Sequence, residues 1–171
     1  MDQREIDAFW RDAQIRGRLN PAAAYLGRTV DEALPPPAWS FGRDAEEADE
    51  LLALVLDGIK TATSSARSEY DHADEVPTAG MLSILLDGGE HPRALLRTTE
   101  VAVVPFDLVE ADHAAAEGEG DRSLEHWRSV HRDFFDRDGS PFDPTMAVVL
   151  EKFVVIAARD VASRTSADAN S

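Results

Sequence analysis

The chain contains no cysteine among its 171 residues. That removes disulfides and thiolate metal sites, and it fits a cytoplasmic protein. It has little lysine: Lys60 and Lys152 are the only two among 17 basic residues. No apolar run is long enough to span a bilayer. The first residues, Met1-Asp2-Gln3-Arg4-Glu5, lack a basic segment followed by an apolar core, so no secretory signal is expected. There is no P-loop, no G-x-G-x-x-G after a strand and no G-x-S-x-G. Positive charge is scarce overall, with a formal net charge of -16. Binding to a nucleic-acid backbone relies on Lys and Arg displacing counterions. This balance argues against DNA and against coating of long RNA. It favours a small neutral or cationic ligand, a single nucleotide or a short single-stranded RNA. The five histidines show no metal-ligand spacing, and Asp71-His72-Ala73-Asp74-Glu75 reads as a solvated acidic loop. Neither a metal nor a cofactor is expected.

What is present suits one globular domain with additions. Hydrophobic residues make up 43% of the chain. Ile6, Phe9, Trp10 and Ala13 recur at helical spacing and predict a helix over 2–18. Residues 22–34 are weakly patterned, with room for a short helix. Pro35-Pro36-Pro37 is a stiff spacer. A second helix is expected over 44–57, with Asp44 as N-cap, Glu47 reaching back to it and Gly58 as the stop. Strands are expected over 61–66, 81–86, 93–104 and 146–157. Asp87-Gly88-Gly89 should turn a hairpin. A helix over 124–137, capped by Ser123, should bury Leu124, Trp127, Val130 and Phe134. Several short strands with few intervening helices indicate an α+β fold around a small curved sheet or barrel.

The segment that carries chemistry is Gly58-Ile59-Lys60-Thr61-Ala62-Thr63-Ser64-Ser65. A lysine in so arginine-rich a chain, followed by hydroxyl residues, suggests a specific task. Lysine can give up its proton when desolvated, and arginine cannot. The plainer alternative is a strand start with surface hydroxyls. Alternation along a strand puts Thr61, Thr63 and Ser65 on one side, so Lys60 meets Thr63 only if the chain turns there. Glu117-Gly118-Glu119-Gly120-Asp121 forms an acidic loop whose glycines would let the backbone approach a ligand. Glu119 would face a pocket with aromatic walls from Trp39, Phe41 and Tyr70, since aromatic faces stack nucleobases.

Taken in order, Trp39-Ser40-Phe41-Gly42, Gly58-x-Lys60-Thr61-x-Thr63-Ser64, Glu69-Tyr70, Arg97-Thr98-Thr99-Glu100-Val101, Pro105-Phe106 and Ala116-Glu117-Gly118-Glu119-Gly120-Asp121-x-Ser123-Leu124-x-x-Trp127 resemble the ASCH domain family, in particular its longer bacterial branch. The resemblance implies a PUA-like β-barrel over 37–158 with flanking helices. A helical extension would precede it at 1–36, and a disordered tail would follow at 159–171. It implies a cleft suited to RNA or nucleoside. One small branch of the family is an amidohydrolase that removes the acetyl group from N4-acetylcytidine. Carried over by motif, its catalytic set is Lys60, Thr63 and Glu119. Thr61, Ser64, Glu117, Asp121 and Ser123, with Trp39, Phe41 and Tyr70, would bind the ligand. Other members are a ribonuclease and RNA-binding modules, which stand as the alternatives. The chain departs from the small branch in its N-terminal extension and its longer 120–122 loop. Oligomeric state stays open, with a homodimer through the N-terminal helix as one arrangement.

Overall fold

The computed structural model describes residues 2–17, 19, 34–136 and 142–159. The short helix expected within 22–34 and the tail from 160 onward lie outside the described residues. Two compact units divide the chain: residues 1–52, 83–96 and 155–171, and residues 53–82 and 97–154. Five strands form one mixed sheet in the order β1-β3-β4-β5-β2. They are β1 (Ala38–Trp39), β2 (Ala62–Ala66), β3 (Leu82–Leu86), β4 (Pro92–Pro105) and β5 (Ala147–Ala158). Four helices complete the α+β fold among the described residues: α1 (Gln3–Arg16), α2 (Ala45–Leu56), α3 (Ala111–Glu117) and α4 (Leu124–Phe135). The sheet is open, with β1 and β2 as its edges, where a closed barrel was expected. β1 contributes only two residues, pairing Ala38 with Ile84 and Trp39 with Leu85 in parallel.

In the first unit, α1 buries Ile6, Phe9, Trp10 and Ala13, the stripe its spacing predicts. Asp2 caps it by accepting from the Arg4 amide at 2.9 Å. Glu5 ties the helix to His91 at 2.8 Å. The turn after β3 is built on Asp87, whose Oδ1 accepts from the Gly89 and His91 amides and whose Oδ2 accepts from Arg93. Before α2, Asp44 accepts from the Glu47 amide at 2.9 Å. Glu47 reaches one residue past this cap, to the Arg43 amide at 2.8 Å. The Arg43 guanidinium also bonds Glu47, at 2.9 Å, and draws its carboxylate there.

In the second unit, α2 ends at Gly58, whose φ of +72° lets the Ile59 and Lys60 amides both return to the Leu54 carbonyl. β2 then runs antiparallel to β5, from Ala62 opposite Lys152 to Ala66 opposite Val148. A core of Ala66, Phe106, Val109, Ala114, Trp127, Phe135 and Val148 joins this ladder to α3 and α4. The buried stripe of α4 differs from the expected one. Trp127, His131 and Phe135 face inward, while Val130 and Phe134 remain 39% and 42% exposed. A histidine holds an inward position because it has polar partners there: Nδ1 donates to the Trp127 carbonyl at 3.0 Å, and Nε2 lies 3.6 Å from the Glu117 carboxylate.

Candidate functional site

Lys60 is fixed through its backbone before its side chain does anything. Its own amide bonds Leu54, and the next amide, Thr61, donates to the Ala116 carbonyl at 2.7 Å. The Thr61 carbonyl accepts from the Phe153 amide at 2.9 Å. Held this way, the side chain turns inward and only 1% of it is exposed. Nζ donates to Glu119 Oε1 at 2.6 Å and lies 3.4 Å from Glu117 Oε2. A buried ammonium requires such compensation, because desolvating an unpaired charge costs several kcal/mol.

Glu117 is the hub of the cluster. It is the last residue of α3, and 2% of its side chain is exposed. Oε1 accepts from Ser64 Oγ at 2.5 Å, from Trp127 Nε1 at 2.6 Å and from His113 Nε2 at 3.1 Å. His131 Nε2 stands 3.6 Å from Oε2, with its ring stacked on Trp127 at 4.2 Å between centroids. Burial alone would raise this carboxyl. Hydrogen bonds from His113 and His131, together with the charge of Lys60, outweigh burial and hold it well below the ordinary carboxylate range. Glu117 is therefore a permanent anion that balances Lys60. Glu119, 26% exposed, is the more open of the two carboxylates on Lys60.

Ser64, His113 and Glu117 have the composition of a nucleophilic triad but not its wiring. Ser64 Oγ and Glu117 Oε1 both approach the same imidazole nitrogen, Nε2, at 3.0 and 3.1 Å. A relay needs the base to use one nitrogen for each partner. Ser64 donates straight to the carboxylate and so fixes it.

The loop after Glu117 is shaped by contact with its own chain. Gly118 has φ +75°, and a Cβ there would lie 2.6 Å from the Ile59 carbonyl oxygen. Gly120 has φ +54°, and a Cβ there would strike the His126 ring. These glycines bring the loop close against Ile59 and His126. Asp121 and Ser123 serve the entry to α4: Asp121 accepts from the Ser123 amide at 2.9 Å, and Ser123 Oγ accepts from the His126 amide at 3.1 Å.

The structure thus brings together Lys60, Ser64, Glu117 and Glu119 of the expected set. Thr63 alternates to the other side of β2. Its ladder partner is Glu151, which accepts from Thr98 Oγ1 at 3.2 Å. Thr61 Oγ1 donates to the Ala116 carbonyl at 3.3 Å, and Tyr70 shares a hydrogen bond with Ser65 at 2.8 Å. Trp39 and Phe41 form an edge-to-face pair at 4.6 Å in the first unit.

A family model described as the ASCH domain matches residues 37–157. The chain belongs to the ASCH domain family. A crystal structure of an ASCH domain from Lactobacillus crispatus is 32% identical, covers 85% of this chain and 94% of its own, and superposes with a TM-score of 0.68. A crystal structure of an Enterococcus faecalis protein is 30% identical, covers 92% and 96%, and gives a TM-score of 0.75. No curated protein matches the chain. No helix among the described residues of this ASCH protein is long and apolar enough to cross a membrane.

Sequence reasoning passed over His113, Trp127 and His131 as members of the site. Two signals were available. His113 and Glu117 lie four apart on one short helix, as do Trp127 and His131 on the next, and such pairs share a helix face.

Proposed function

We propose that this ASCH domain hydrolyses an amide on a modified nucleoside such as N4-acetylcytidine, without a metal. The observation that carries the reading is the buried Lys60 ammonium, 2.6 Å from the partly exposed Glu119 carboxylate. Amide hydrolysis needs a donor for the departing amine and positive charge near the carbonyl oxygen. Glu119 and Lys60 supply these, while Glu117 keeps the cluster's charge fixed. Water, giving a proton to Glu119, forms the new bond to the acyl carbon as the C–N bond breaks. Glu119 passes that proton to the departing amine, and the products are the free nucleoside and the carboxylic acid. Ser64 is committed to Glu117 and Thr63 lies on the opposite side of β2, so neither hydroxyl is placed as the nucleophile.

The test is turnover of N4-acetylcytidine and related acylated nucleosides by purified protein. Lys60→Ala and Glu119→Gln should each lower kcat/KM by about 10²–10⁴-fold. Absence of turnover across the panel, or full activity in Lys60→Ala, rejects the reading. Family membership favours a second reading, recognition of an RNA end or loop without chemistry. It predicts salt-sensitive RNA affinity and no product. A ribonuclease would instead give RNA cleavage that disappears in Lys60→Ala.

A further inference from the structure

The second unit contains a cleft of about 740 Å³, within the size range of small-molecule sites. Val104, Leu108 and Leu150 give it apolar walls, and Glu100, Glu110 and Asp112 lie on its lining with Lys152. The Lys152 amine is taken by Glu100 at 2.8 Å. Three carboxylates against one ammonium leave the rim negative. His113 also lines the cleft, although only 7% of its side chain is exposed.

The tautomer of His113 follows from its neighbours. Nε2 lies 3.1 Å from Glu117 Oε1, which is ionised and can only accept. Nε2 therefore carries the hydrogen, and in the neutral ring Nδ1 is left with a lone pair. Among the described residues no hydrogen bond engages Nδ1. A nearly buried imidazole on the lining of this cavity thus has a second ring nitrogen that no described residue engages.

We propose that this cleft binds an uncharged, unphosphorylated heteroaromatic ring carrying N–H donors, with His113 Nδ1 as their acceptor. The apolar walls take the faces of the ring. The negative rim rejects a phosphate dianion and tolerates, or attracts, a cationic substituent. Because the other nitrogen of His113 bonds Glu117, occupancy of the cleft is transmitted directly to the Lys60 cluster. This assignment does not require the domain to be a hydrolase. It would make His113 a specificity residue whatever chemistry follows.

The experiment titrates the full chain with cytidine, cytidine 5′-monophosphate and benzene-1,2-diol, following the ¹⁵N resonances of the His113 ring. Saturable cytidine binding that shifts Nδ1, with the monophosphate at least tenfold weaker, is the expected result. Leu108 is 63% exposed and Ala79 is also on the surface, so Ala79→Trp with Leu108→Trp should fill the cleft and leave the fold intact. That double variant should lose cytidine binding at least tenfold. Asp112→Asn with Glu110→Gln should narrow the gap between cytidine and its monophosphate. The proposal is overturned if cytidine shows no saturable binding, if the filled variant binds it as well as the parent, or if the monophosphate or the diol binds equally tightly. Cytidine binding without turnover of the acylated nucleosides would support the cleft and remove the hydrolase. Unchanged turnover in the filled variant would overturn the cleft and leave the hydrolase standing.

Discussion

Replacing Glu117 with glutamine tests the central electrostatic claim, that one buried anion holds Lys60 and two helices in place. The substitution preserves shape and removes a charge from a side chain only 2% exposed. It leaves Lys60 with Glu119 as its remaining carboxylate in the cluster. It also sets an amide against donors from Ser64, Trp127, His113 and His131, which an NH₂ group cannot all accept. Breaking a buried ion pair from one side costs roughly 3–5 kcal/mol. A loss of about 4 kcal/mol is a large part of the roughly 5–15 kcal/mol that stabilises a domain. At roughly 2–4 °C per kcal/mol for a chain of this size, Tm should fall by about 8–16 °C. Urea denaturation at pH 7 measures the loss, with Glu119→Gln as the control. That site is more exposed and should cost about 1 kcal/mol or less. The pH dependence gives an independent check. Glu117 is held below its unfolded value, so its contribution is complete above roughly pH 5 and is lost as pH falls through its folded pKa. The gap between parent and variant should therefore narrow progressively in acid. A variant within about 1 kcal/mol of the parent at pH 7, or a gap independent of pH, would refute the reasoning.

Two further substitutions probe the surroundings. Gly118→Ala forces a Cβ into the left-handed region and to within 2.6 Å of a backbone carbonyl that cannot rotate aside. It should cost at least about 1–2 kcal/mol by urea denaturation and disturb Lys60, the residue after Ile59. Glu151 is raised by burial, which the hydrogen bond from Thr98 only partly offsets. A carboxyl raised on folding supports the fold at low pH, and that support is lost as pH rises through its folded pKa. Glu151→Gln should therefore leave Tm unchanged or higher at pH 7.

Much of the scaffold was readable because it depends on local chemistry. The α1 stripe follows from spacing, the end of α2 from Gly58 and the start of α4 from the Ser123 side chain, each decided within a few residues. The buried face of α4 was not readable in the same way. Counting apolar positions favours Val130 and Phe134 over His131. His131 is buried because Glu117 is 14 positions away in the chain but 3.6 Å away in space. Periodicity has no access to that partner. The same blindness left His113 looking isolated. Lys60 and the carboxylates were noticed from composition and motif, but their division of labour depends on burial: 2% exposure for Glu117 and 26% for Glu119. The separation of Thr63 from Ser64 across the strand was implicit in alternation, and only the ladder register identified Glu151 opposite it.

The pairing of β2 with β5 also has a bearing on synthesis. Ala62 meets Lys152, about 90 positions later in the chain. A ribosome making this protein exposes β2 long before the strand it must join exists. During that interval the segment presents unpaired amides and carbonyls, in a stretch rich in serine and threonine that water can solvate. The hydroxyls that invite a catalytic interpretation thus also keep a waiting strand soluble until its complement emerges.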